Sequence, residues 1–171
     1  FTPELLQREL FGYVTGTFLD AGRQSKTGLI ELAHQGTLFI NESSEMDYAT
    51  QGRLLRLMSE KVITRLGSDQ VIPVNVRVIV ATTKTLTDLV KNGTFGEDLY
   101  YRLNVLSIHL PPLKGRKKEI AHYSQLFLNE IASQMGRKRF LSASALDLLE
   151  KYDWPGNLRE IRNVMERLVG I

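Results

Sequence analysis

The chain has 171 residues, of which 43% are hydrophobic and 24% charged, with a formal net charge of +3 and no cysteine. Such a composition belongs to an ordinary globular protein, either one domain with a sizeable core or one domain plus a small helical appendage. Disulfides, thiolate metal sites and cysteine nucleophiles are excluded, and no apolar run approaches the roughly 20 residues of a membrane-spanning helix.

From the N-terminus, Glu4 to Phe11 reads as a short helix with Pro3 at its start. Gly12 to Gly28 reads as a long loop with Phe18 in its middle, and Gly28 to Gln35 as one or two helical turns broken by Gly36. TLFINE, Thr37 to Glu42, is a short apolar strand ending in two polar residues, Asn41 and Glu42. Open α/β sheets place ligand chemistry at such strand ends. Asp47 can cap a helix running to Glu60. Val62 to Leu66 and Val71 to Val74 form a hairpin, and Val76 to Ala81 has the apolar run of a strand covered on both faces. Thr85 to Lys91 and Glu97 to Leu103 are helical, and Val105 to Leu110 is a third strand candidate ended by Pro111 and Pro112. Three helical stretches follow, Lys117 to Gln134, Ser142 to Tyr152 and Asn157 to Leu168, with Asn157 as the expected cap of the last. The division falls near Leu113: an α/β portion, 1–113, and a helical portion, 114–171.

The excess positive charge is local, at Lys114, Arg116, Lys117 and Lys118 and again at Arg137, Lys138 and Arg139, and reads as solvated helix ends before phosphate or nucleic-acid contact. His34, His109 and His122 show no metal-ligand spacing. The opening residues lack the basic start and apolar centre of a signal peptide, so a cytoplasmic protein without a membrane partner is expected. No GxxxxGK[ST] phosphate loop occurs. With three core strand candidates the α/β portion reads as incomplete, its phosphate-binding strand and loop expected upstream of Phe1 if nucleotide binding is its task.

Taken in order, LFGYVTGTFLDAG, QGTLFINESSEM, VNVRVIVATT, FGEDLYYRLNVLSIHLPPLKGR and YDWPGNLREIRN resemble the AAA+ domain of bacterial sigma-54-dependent transcription activators across essentially the whole chain. The resemblance implies a three-layer α/β AAA+ sheet domain, with its N-terminal strands and P-loop outside this chain, followed by a helical lid. It implies ATP and Mg²⁺ as cofactors and self-association into a ring, hexameric or heptameric. It also implies action on RNA polymerase holoenzyme carrying sigma-54, and promoter DNA reached through a domain outside this chain.

Residue by residue the match is uneven. The Walker B pair falls on Asn41 and Glu42: Glu42 is implied to position the attacking water, and Asn41 stands where the family has the Mg²⁺-binding Asp, a neutral ligand in place of a charged one. The two arginines that cross the family's subunit interface fall on Gly96 and Arg102, and its sensor Asn on Thr83. The lid arginine is Arg159, and the sigma-54 contact loop GAFTGA falls on Gly16, Thr17, Phe18, Leu19, Asp20 and Ala21.

Each assignment has a plainer structural counterpart. Asn41 can merely end a strand, Phe18 can tuck onto its own core, Arg102 can pair with Asp98 one helical turn earlier, and Arg159 can pair with Asp153 or a neighbouring Glu. The expected function is therefore ATP-driven remodelling of sigma-54 polymerase, weakened here. The alternatives are a pseudo-ATPase oligomerisation module of a DNA-binding regulator, or an inactive truncated copy.

Overall fold

The computed structural model describes residues 2–18 and 24–170, so Leu19, Asp20 and Ala21 of the expected contact loop lie outside the described residues. The chain separates into two compact units, 1–107 and 108–171.

In the first unit, α1 (Pro3–Phe11) starts at Thr2, whose hydroxyl accepts the Leu5 N–H, and stops at Gly12. Gly12 has φ 71°, and an added Cβ there would collide with the backbone of Lys26 and Gly28. That close approach arises because β1 (Gly12–Tyr13) pairs antiparallel with β2 (Lys26–Thr27). The stretch expected to be loop throughout thus has a short paired stem. The next helix, α2 (Leu29–Leu32), is a single turn, and Gln35 at φ 63° ends the segment.

Strand β3 (Thr37–Ile40) pairs in parallel with β6 (Arg77–Val80) in the register Thr37 with Arg77 through Ile40 with Val80. Leu38 and Ile40 point into the core, whereas Phe39 is 61% and Ile79 42% exposed. Among the described residues this sheet is covered on one face, not on both as the apolar run of 76–81 suggested. Hairpin β4 (Val62–Thr64) and β5 (Val71–Pro73) forms as expected.

Helix α3 (Tyr48–Glu60) buries Leu54 and Leu57 against Phe11, Ile40, Ile63, Phe95 and Leu99. Its cap is Asp47, which accepts the Thr50 N–H at 2.9 Å and the Gln7 side-chain amide at 3.1 Å, tying α1 to α3. Thr50 foremost, with Gln7, holds the Asp47 carboxyl below the usual carboxylate range. A carboxyl depressed on folding stabilises fully above its unfolded pKa of about 4 and loses that contribution as pH falls below it. Asp47→Ala should therefore cost about 1 kcal/mol near pH 7. Urea unfolding of the two proteins should converge as the pH is lowered below about 4; a gap independent of pH would contradict the cap.

The unit continues through α4 (Leu86–Lys91) and α5 (Glu97–Leu103). The expected strand at 105–110 does not form. Val105, Leu106, Ile108 and Leu110 are between 76% and 88% exposed, and no described strand lies beside them to complete a ladder. Apolar, β-favouring residues make a strand only when a partner satisfies their backbone.

The second unit is helical. Two short turns, Leu113–Gly115 and Lys117–Glu119, lead into α6 (Ile120–Gln134), followed by α7 (Ala143–Lys151) and α8 (Asn157–Gly170). Ser142 caps α7 by accepting the Ala145 N–H. In α8 the spacing Ile161, Met165, Val169 places three fully buried side chains on one stripe, packed with Leu113, Ile120, Leu128, Ile131 and Trp154. Asn157 does not cap α8. Its Oδ1 accepts the Leu113 N–H at 2.7 Å, and the Gly156 N–H is accepted instead by Glu160 at 2.8 Å, a reach-back from the first turn. The first basic run is anchored to the protein: Lys114 and Lys117 both pair with Asp153, at 2.9 and 3.3 Å.

Candidate functional site

The parallel register of β3 and β6 brings together two chain segments about forty residues apart. The Ala81 N–H donates to the Ile40 carbonyl at 2.8 Å, and the Ser43 N–H to the Ala81 carbonyl at 3.0 Å, so the pairing runs on past the strand ends. Asn41 and Glu42 are thereby held beside Thr82 and Thr83. Glu42 takes the left-handed backbone conformation, φ 60° and ψ 51°, uncommon for a residue with a side chain. Its carboxylate accepts the Thr83 N–H at 2.8 Å and lies 3.1 Å from the Ser44 hydroxyl. The Thr83 hydroxyl is 3.1 Å from each carboxylate oxygen. These donors, the Thr83 N–H foremost, hold the Glu42 carboxyl below its ordinary range. Lys84 pairs with Glu45 at 2.6 Å on the rim.

Asn41 is exposed at the strand end and offers one neutral oxygen, while the neighbouring Glu42 carboxylate is engaged by Thr83. No group of three or more His, Cys, Asp or Glu among the described residues is placed to hold a metal. The residues present do not fit a protein-held Mg²⁺, a hard cation that needs anionic oxygen ligands.

The other expected residues sit as follows. Arg102 does not pair with Asp98; it donates to the Met58 carbonyl at 3.1 Å, a cation at the C-terminal end of α3. Gly96 precedes α5 and donates its N–H to the Gln51 side chain at 2.8 Å. Arg159 is exposed and makes no ion pair among the described residues, Asp153 being taken by the two lysines. Phe18 is partly buried, edge-on to Tyr13 with centroids 5.7 Å apart, and the Arg8 guanidinium lies 3.5 Å above its ring. The plainer reading of Phe18 is the one this arrangement fits, not an aromatic at a bare loop tip. Thr17 anchors the same stem, its hydroxyl within reach of the Val14 and Leu66 carbonyls at 2.7 and 3.1 Å. Gly16 has φ 82° and open space around it.

Sequence reasoning missed Ser44, Arg8 and the forked ion pair of Arg65 with Glu31, at 2.7 and 3.0 Å. Ser44 was findable, two residues from Glu42 in the same turn; the other two join distant segments and leave no local pattern.

The family model described as the sigma-54 interaction domain matches residues 1–109, and that of the AAA+ ATPase lid domain matches 114–171. The chain belongs to the sigma-54 interaction domain family. The chain is 47% identical over 163 residues to the Nif-specific regulatory protein of Klebsiella pneumoniae, covering 95% of this chain and 31% of the relative. To the regulatory protein AtoC of Escherichia coli it is 43% identical over 169 residues, covering 98% and 36%. The crystal structure of NtrX from Brucella abortus in complex with ADP superposes with a TM-score of 0.89 at 36% identity, covering 99% of this chain and 36% of that one. NtrX has also been crystallised with ATP. The chain thus spans about a third of the length of the relatives it matches. As a sigma-54 interaction domain it has the AAA+ architecture, a mixed α/β unit with a helical lid, and among its described residues no helix is long and apolar enough to cross a membrane.

Proposed function

We propose that this chain is the C-terminal part of the AAA+ domain of a regulator that uses ATP to remodel RNA polymerase held by sigma-54, and that its hydrolysis is weakened. One observation carries the second half of this reading. The strand end that should bear a carboxylate pair bears Asn41 and a single carboxylate, Glu42, which accepts from Thr83 and Ser44. Without a second negative charge the site neither helps a cation shed water nor arranges it against phosphates. In this reading Glu42 positions the attacking water, Asn41 is a weak metal ligand at most, and Mg²⁺ binding leans on the nucleotide's own phosphates. Arg102 acts at a neighbouring subunit of a hexameric or heptameric ring, Arg159 reaches nucleotide phosphates from the lid, and Gly16 to Ala21 form the sigma-54 contact. Promoter DNA is bound by a domain outside this chain, and the protein works where the polymerase is, in the cytoplasm.

The packing of Phe18 under Arg8, together with the sequence change to Leu19 and Asp20 where the family has Thr and Gly, motivates a second reading: a pseudo-ATPase that oligomerises and regulates by occupancy without touching sigma-54. Capture of sigma-54 by the intact protein separates the two. The first reading expects retention with a γ-phosphate analogue bound, lost in Phe18→Ala; no retention in any nucleotide state sinks it and leaves the second.

A further inference from the structure

Gly96 and Arg102 bracket α5, and one buried side chain of α3 holds the start of that helix. We propose that Gln51 is a positioning residue for Arg102: its carboxamide fixes α5 against α3, so that the arginine is presented to a neighbouring subunit from a set place. This rests on the reading of Arg102 as acting across a subunit boundary.

Gln51 is 2% exposed, and its amide group is fully used. Its Nε2 donates to the Met46 carbonyl at 2.8 Å and to the Thr94 carbonyl at 3.2 Å, while its Oε1 accepts the Gly96 N–H at 2.8 Å. Two carbonyls only accept and an N–H only donates, so a carboxamide in this one orientation satisfies all three; neither a carboxylate nor an apolar side chain does. Gly96 opens α5 without a side chain that could cap it, and Gln51 supplies the contact there. Phe95 and Leu99 are buried and seat the same turn in the core. The far end of α5 is tied to α3 as well, through Arg102 and the Met58 carbonyl at 3.1 Å. Gln51 and Met58 lie about two turns apart on one face of α3, so the two attachments lay α5 along that face. Once the guanidinium leaves Met58 for a neighbour, the Gln51 bonds remain to hold the helix that carries it. Met46 closes the turn after Glu42, so action of Gln51 within its own site is the competing explanation.

The test mixes subunits of the intact protein carrying Asn41→Asp, chosen to raise turnover. Gln51→Met keeps the length of the side chain and removes the three bonds; it should lower kcat about fivefold or more with KM for ATP changed by less than about twofold. Adding an excess of intact Glu42→Ala protein, whose own site is disabled but whose α5 is unaltered, should raise turnover per Gln51→Met subunit about threefold or more, because the neighbour supplies a well-placed Arg102. Arg102→Ala in the same Asn41→Asp protein is the control, and mixing should restore it likewise. Rescue of Arg102→Ala without rescue of Gln51→Met overturns the proposal alone and assigns Gln51 to its own site, as does an unchanged kcat in Gln51→Met. Failure to rescue Arg102→Ala, or no hydrolysis by the Asn41→Asp protein, overturns the reading beneath it and the proposal with it. If Gln51→Met does not fold, Gln51→Asn, whose carboxamide falls one methylene short of Gly96, takes its place in the same mixing. In the unmodified intact protein the Gly96 N–H should exchange about tenfold or more slowly than an unpaired amide; exchange at the unpaired rate overturns the clamp whatever the variants do.

Discussion

Asn41→Asp should raise steady-state ATP turnover of the intact protein by about ten- to a hundredfold, the scale on which a single electrostatic partner of a transition state is felt. The substitution changes an amide to a carboxylate of nearly the same shape at an exposed strand end, so packing is left alone and the added charge is what acts. Gly96→Arg should add to it, since an arginine that reaches a transferring phosphoryl from a neighbouring subunit can contribute orders of magnitude. The site accepts the change: Gly96 has φ −70°, an added Cβ meets only the Gln51 side-chain oxygen at 3.5 Å, and the N–H bond to Gln51 is retained. Turnover flat across parent, single and double variants, with folding intact, would mean that Asn41 and Gly96 were assigned wrongly.

Trp154→Ala should destabilise the helical unit by about 3–5 kcal/mol, the range for deleting a buried tryptophan or phenylalanine from a core. Trp154 is 3% exposed among Leu113, Ile161 and Met165, stands edge-on to Tyr152 at 5.2 Å and donates its indole N–H to the Leu149 carbonyl at 2.7 Å, pinning the end of α7. Its left-handed backbone, φ 51°, turns the chain from α7 toward α8. Trp154→Phe keeps most of the apolar volume and loses the hydrogen bond, and should cost less. Urea unfolding followed by far-ultraviolet circular dichroism ranks the three proteins; a loss under about 1 kcal/mol for Trp154→Ala would contradict its place at the centre of this core.

The helices and the two ends of the central strand pair were legible because their signals are local. Asp47 fixes the start of its helix within a few residues, and TLFIN ends where the apolar run ends. What escaped was non-local. The same β-favouring composition that makes 77–80 a strand fails to make one of 105–110, because pairing is decided by a neighbour that no periodicity reveals. Asn157 has the chemistry of a cap, yet Leu113, more than forty residues earlier, takes its oxygen. Arg102 has an acidic residue one turn away and chooses a helix-end carbonyl instead, a preference set by how α5 packs on α3. At the site, sequence order named Asn41, Glu42 and Thr83 separately; only the continued pairing beyond β3 and β6 joins Glu42 to Thr83 as a unit.

Single-turnover hydrolysis of ATP bound to the unmodified intact protein, run beside the Asn41→Asp form, tests the account most directly. The account expects bound ATP to be recovered largely unhydrolysed over a period in which the Asn41→Asp protein has converted most of it to ADP. Conversion by the unmodified protein at the same rate would contradict a weakened centre and restore an ordinary ATPase.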